Sequence, residues 1–290
     1  MEGFNLYRGE IFELIVKSGR LPEPSRKISE ILEMLNNPVE LDIDNLVMKI
    51  SEVNQLNELM INNLNRGYFR INKEIKTIKE AIIYLGMQTV QNLLIFFITQ
   101  QLFLDASPNK ERSFNIKQYN KHVLGTAVAS DMLSTKLGLG DKYKLFSYGL
   151  IHDIGIAVLD TCVPEVLEEI IQKLKMGMHQ IVAESLLLGG ITHAEVGAWI
   201  CRRWKIREDI TNIVEFHHRP FLAEANTIEL KLMYVADAIS TEYYEKLLGV
   251  NLNHRINKQV MDSLGVTESQ IQIIKNELPG EIEKADHYFM

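Results

Sequence analysis

IKQYNKHVLGTAVASDMLSTKLGLGDKYKLFSYGLIHDIG, residues 116–155, decides how this 290-residue chain is read. From Ile116 to Leu137 apolar side chains recur at helical spacing, and Gly138-Leu139-Gly140 stops the run. Tyr143 to His152 repeats the pattern, with Gly155 as its expected terminator. His122 falls early in the first helix, and His152-Asp153 falls at the last turn of the second. The stretch therefore predicts both a helical scaffold and the placement of ligand-type side chains on it.

Working outward, the same spacing recurs on both sides. Ile28, Ile31, Leu32 and Leu35 form one helical face, preceded by Pro22 and Pro24 and stopped at Asn36-Asn37-Pro38. Asp44 is read as the cap of a helix facing inward with Leu46, Val47 and Ile50. Leu56, Leu59, Met60 and Leu64 mark the next, ending at Asn65-Arg66-Gly67. Thr77 opens a capping box with Glu80, and Gly86 closes that helix. Val90 to Phe103 is apolar almost all round, as expected of a helix buried between others. Downstream, helices are expected over Leu167–Met176, Gln180–Leu188, His193–Trp204, Asp209–His218, Ile228–Leu248, Asn257–Leu264 and Glu268–Leu278. The one extended piece expected is short, at Gly67–Ile71. The class is all-α. The polar, Pro-containing stretch Leu104–Asn115 is the best linker, and divides an N-terminal helical subdomain (1–108) from a helical bundle (109–250), followed by a short helical tail (251–290).

Composition narrows the function classes. Hydrophobic residues make up 46 % and charged residues 24 %, enough for a sizeable core. A net charge of -7 argues against indiscriminate binding of a phosphate backbone, so no nucleic-acid partner is expected. Cys162 and Cys201 lack metal-type spacing and read as reduced, buried thiols. The N-terminus has no basic stretch followed by a long apolar run. Leu93–Ile98, the longest apolar run, is too short to cross a bilayer. The expectation is a cytoplasmic chain with no membrane partner.

Ligand chemistry is concentrated in one pattern. Five of the eight histidines are His122, His152, His193, His217 and His218, joined by Asp153 and Asp237. Imidazole with carboxylate suits Fe, Mn, Co, Ni or Zn better than Ca or a thiolate metal. His122, His152, Asp153 and Asp237 are the first candidate set. His193, His217 and His218 are candidates for a second metal position or for phosphate contact. Asp153, His193, His217 and His218 are the candidates for catalysis. Helix faces have to converge for any of this to matter.

The spaced set His122…His152-Asp153…Asp237 resembles the H…HD…D signature of the HD superfamily of metal-dependent phosphohydrolases. Longer blocks are more specific. SGRLPEPSRKISEILEMLNNP (18–38), the segment 57–103, YGLIHDIGIAVLD (148–160), THAEVGAWICRRWKIREDI (192–210), EFHHRP (215–220) and YVADAIS (234–240) together resemble the HDOD (HD-related output domain) family over roughly Gly19–Leu248. The resemblance implies an N-terminal helical part packed on an HD-like helical bundle. It also implies a bacterial signal-transduction role through regulatory protein partners. Many members of that family have lost the metal ligands, whereas here the four HD positions are filled. The chain resembles the cyclic di-GMP phosphodiesterases of HD-GYP type less well. Ile156 stands at their Lys position, and Arg219-Pro220-Phe221 follows the His pair in place of their Gly-Tyr-Pro loop. Loss of that Lys removes a fixed charge for a scissile phosphate.

Three functions stay open at this point: a regulatory HDOD module with a metal-type pocket, a metal-dependent phosphohydrolase of nucleotides or cyclic nucleotides, and a non-catalytic nucleotide sensor. Arg202 and Arg203 are candidates for phosphate binding, against the plainer reading of solvated arginines. Glu184 is a candidate for orienting a histidine. Lys73, Lys76 and Lys79 read as a solvated face.

Overall fold

The computed structural model describes residues 6–36, 41–53, 56–65, 73–106, 114–247 and 255–289, and all regular structure among them is helical. The helices are α1 (Glu10–Lys17), α2 (Arg26–Asn36), α3 (Ile43–Ser51), α4 (Leu56–Asn65), α5 (Ile78–Leu85) and α6 (Met87–Ala106). They continue with α7 (Ile116–Leu137), α8 (Lys142–Ile151), α9 (Ile154–Cys162), α10 (Pro164–Lys175), α11 (Gln180–Leu187) and α12 (His193–Arg203). The last are α13 (Glu208–Phe216), α14 (Thr227–Leu247), α15 (Lys258–Leu264) and α16 (Glu268–Phe289). The stretch expected to be extended, Gly67–Ile71, lies outside the described residues. So does most of the expected linker, although α6 runs into its first three residues.

Local chemistry explains most of the boundaries. Asn115, Asp141 and Asn257 accept backbone N–H groups at the starts of α7, α8 and α15. Gly138 closes α7 in the left-handed conformation. Thr77 caps α5 by accepting from Glu80 N, while the Glu80 carboxylate takes the N–H of Lys76 instead of that of Thr77. The cap of α3 is Asp42, not Asp44. Asp42 Oδ1 accepts from the N–H groups of Asp44 and Asn45, and Asp44 lies inside the first turn. α16 continues through Pro279 beyond the expected stop at Leu278.

Packing is organised around α7, which contacts α8, α14 and α16. α6 lies across α8 and α9, and α12 lies on α9 and α13. Leu93 to Ile98 on α6 are all buried, so this helix is core, as its lack of a polar face predicts. Each such side chain contributes about 1.5–3 kcal/mol by leaving water. Lys142–Cys162 is apolar enough to span a membrane by composition, but that window is wholly buried in the bundle, which accounts for its hydropathy.

Two glycines set the closest approaches. A Cβ on Gly149 would lie 2.4 Å from Ala127 Cα, so α8 meets α7 backbone to backbone. A Cβ on Gly155 would lie 1.9 Å from the carbonyl oxygen of His193. Gly155 therefore does not end a helix. It sits in the first turn of α9, where α12 arrives in backbone contact, and glycine is the residue with no side chain in the way.

Candidate metal centre

Two histidines are built by the same local device. His152 is the C-cap of α8 and His217 the C-cap of α13. The last turn of a helix leaves carbonyls without intrahelical partners. His152 Nδ1 lies 2.8 Å from Gly149 O, and His217 Nδ1 lies 2.8 Å from Val214 O, each three residues back. A carbonyl only accepts, so both Nδ1 atoms carry the proton. Both Nε2 atoms then present lone pairs inward, the tautomer a metal ligand needs.

The third histidine is fixed by a carboxylate. His193 is the first residue of α12, and its Nδ1 lies 2.7 and 2.8 Å from the two oxygens of Glu184 on α11. The same carboxylate accepts His193 N–H at 2.9 Å. Gln180 Nε2 donates to Glu184 Oε1 at 2.8 Å, one turn earlier on α11. Glu184 and His193 are both fully shielded from water.

These side chains converge with the remaining three. His122 Nε2 lies 3.3 Å from Asp153 Oδ2 and 3.2 Å from Asp237 Oδ1. Asp153 Oδ1 has the Nε2 atoms of His193, His152 and His217 at 3.1, 3.4 and 3.5 Å. His218 Nδ1 lies 3.4 Å from Asp237 Oδ2, and its Nε2 lies 3.1 Å from His193 Nε2. His152 Nε2 is 3.7 Å from Asp237 Oδ1. Asp153 connects two groups with ligand atoms within 4.8 Å of one another: Asp153, His193, His217 and His218, and Asp153, His122 and His152.

The donor set fits a divalent metal, on grounds internal to the protein. His152 Nε2 and Asp153 Oδ1 are buried and have no hydrogen-bond partner. Buried polar atoms left so cost about 1–3 kcal/mol each. His193 Nε2 also lies 3.4 Å from His217 Nε2. Two lone pairs at that distance repel unless a proton or a cation lies between them. Divalent metal held by this set would satisfy these groups.

Charge in the metal-free cluster is arranged accordingly. Burial pulls the His122 pKa down, but the Asp153 and Asp237 carboxylates outweigh it and push it up to about 10. Burial works against His193 too, yet Glu184 and Asp153 hold it well above the usual value. Burial raises the two aspartates, and the surrounding histidines overcome this and hold both well below the ordinary range. Burial lowers His217 and, more strongly, His218. Protons on His122 and His193 thus take the place that a metal would occupy, and metal binding would release them.

All seven candidate ligands, His122, His152, Asp153, His193, His217, His218 and Asp237, meet in this one cluster. The two phosphate candidates do not join it. Arg202 pairs with Glu215 and Glu208, and Arg203 with Glu23. Lys73, Lys76 and Lys79 pair with Glu80, Glu74 and Asp44 on the surface. Three supporting residues escaped the sequence reading. Tyr119 OH donates to Asp153 O at 3.2 Å, Ser240 Oγ donates to His122 O at 3.0 Å, and Gln180 supports Glu184. Each lies three or four residues from a named site residue on the same helix (Tyr119 from His122, Ser240 from Asp237), so same-face spacing was the available signal.

The HDOD domain profile matches residues 21–220, most of the chain. The chain belongs to the HDOD family. Among the relatives of this HDOD protein is an uncharacterized protein of Treponema pallidum (strain Nichols), 25 % identical over 201 residues. That match covers 68 % of this chain and 37 % of the relative, so the HDOD chain spans little more than a third of the relative's length. A protein of Shewanella amazonensis SB2B assigned provisionally as a phosphohydrolase superposes with a TM-score of 0.67 at 21 % identity, covering 95 % of this chain and 97 % of that one. A protein of Marinobacter aquaeolei VT8 assigned provisionally to signal transduction gives 0.70 at 16 % identity, covering 98 % and 61 %. At these identities the two structures share the fold.

Proposed function

We propose that this HDOD protein is a bacterial, cytoplasmic signal-transduction module that acts by binding a regulatory protein partner and carries divalent metal in the His–Asp cluster. The observation behind the metal is the pair of unsatisfied buried atoms, His152 Nε2 and Asp153 Oδ1, facing one another across a set of oriented imidazoles. The family and the Marinobacter likeness support the regulatory part. Two positions are proposed. One is held by Asp153, His193, His217 and His218, and the other by His122, His152 and Asp153, with Asp237 between His122 and His218.

A second reading is phosphoester hydrolysis, of a nucleotide or cyclic nucleotide. The complete ligand set favours it, as does the Shewanella likeness. A divalent ion there would lower the pKa of water and polarise a phosphoryl oxygen. The protein's own part would be orientation. Gly149 O, Val214 O and Glu184 fix three imidazoles, and Asp153 serves both positions. Among the described residues no fixed cation pairs with the two aspartates. Ile156 is buried, and the ion-pair partners of Asp153 and Asp237 are all histidines. Binding without turnover, as a nucleotide sensor, needs no such cation.

Elemental analysis of purified protein, as isolated and after supplementation with Fe, Mn, Co, Ni and Zn, tests the metal. About two equivalents are expected, and none under any condition sinks the proposal. A phosphodiesterase and nucleotidase screen of the loaded protein then separates the module from the hydrolase.

A further inference from the structure

We infer that Glu184 is a positioning residue that makes His193 a ligand, and that it supports one of the two proposed metal positions and not the other. The inference rests on the metal reading above and deepens it. A buried carboxylate is costly unless its oxygens are occupied. Those of Glu184 are occupied by three donors: His193 N–H, His193 Nδ1 and Gln180 Nε2. Two of the three belong to the residue it positions. One side chain thus fixes where the first residue of α12 sits, which way its ring turns and which ring nitrogen carries the proton.

The consequence is an asymmetry between the positions. His152 and His217 are oriented by neutral carbonyls, and His193 by an anion. An anionic acceptor on Nδ1–H makes the opposite nitrogen a stronger donor than a carbonyl does. His193 serves the position with His217 and His218, and His122 and His152 serve the other. Removing the charge from Glu184 should therefore weaken one equivalent of metal selectively. A merely structural carboxylate would affect both positions alike, or neither.

The test is titration of metal-free wild type and Glu184→Gln with Co2+, following stoichiometry calorimetrically and the cobalt d–d absorption spectrum. Wild type is expected to bind two equivalents. In E184Q one equivalent should weaken about 10–100-fold, the range for loss of such a supporting group, while the other keeps its affinity and spectrum. Two equivalents unchanged in E184Q would overturn the inference and leave the metal reading intact. No binding by wild type would remove the metal reading itself. Should E184Q not fold, histidine 15N spectra of zinc-loaded wild type decide. His193 protonated on Nδ1 and coordinated through Nε2 is expected, and coordination through Nδ1 overturns the role of Glu184.

Discussion

Two buried polar clusters share helix α8 and the α13 segment of this chain, and they are built to opposite ends. At the N-terminus of α13, buried Arg207 pairs with Asp209 through both Nε and Nη2 and donates to Gln91 of α6 through Nη1. Tyr148 of α8 donates to Asp209 Oδ2 at 2.8 Å. The charges there cancel, and the one loose end is the Gln91 amide nitrogen. One turn along α8 from Tyr148, and at the other end of α13, lies the His–Asp cluster, with a carboxylate oxygen and an imidazole nitrogen that make no well-formed hydrogen bond and with ring nitrogens pressed together. A closed network ties helices together by itself. An open one is stable in the same interior only if something else completes it. Between these two clusters, it is satisfaction of the buried groups that differs, more than burial.

That contrast can be broken from either side. The largest effect is expected in the closed network. Asp209→Ala leaves the Arg207 guanidinium buried and unpaired, at a cost of about 3 kcal/mol, the low end for a broken buried pair because Asp209 keeps some exposure. Urea unfolding measures it, and a loss under about 1 kcal/mol would mean that the network is not closed as described. The penalty carries a pH signature. Burial opposes ionisation of Asp209, but Arg207 and Tyr148 outweigh it and lower its pKa. A carboxylate lowered in the folded state contributes fully above its unfolded pKa of about 3.9 and loses that contribution as pH falls through the lower folded value. The gap between wild type and D209A should therefore hold at neutral pH and close only below about pH 4.

The open cluster should behave in the opposite way. Metal at about 100 times its Kd should stabilise wild type by about 2.7 kcal/mol, seen as a rise of several degrees in Tm. Asp153→Asn replaces the carboxylate shared by both positions with a neutral amide and should abolish that rise. A metal-dependent shift surviving in D153N would show that the ion binds elsewhere. The smallest effect should come from the approach that assembles the site. Gly155→Ala drives a methyl into the His193 carbonyl and should cost about 1–3 kcal/mol while weakening metal uptake. Loss of stability with uptake unchanged would detach the crossing of α9 and α12 from the site.

Much of the scaffold is legible in the sequence, for identifiable reasons. α7 declares itself by periodicity and by Gly138 at its end. α9 does not. All nine of its residues are buried, so no polar face marks it, and Gly155 imitates a helix stop. α1 passed unread because it is short. Of the site, the ligand types and the HD and HH dipeptides are legible. The tautomers are not, because they depend on which carbonyl or carboxylate the fold places behind each ring.

The sequence by itself determined an all-helical chain with seven metal-type ligands, since periodicity and residue chemistry are local properties. Tertiary structure decided the rest: that the seven meet around Asp153, that Glu184 stands behind His193, and that Arg202 and Arg203 are held by other carboxylates. Those facts depend on the distances at which helices cross, which glycine-sized gaps and packed side chains set and which no single stretch of sequence contains.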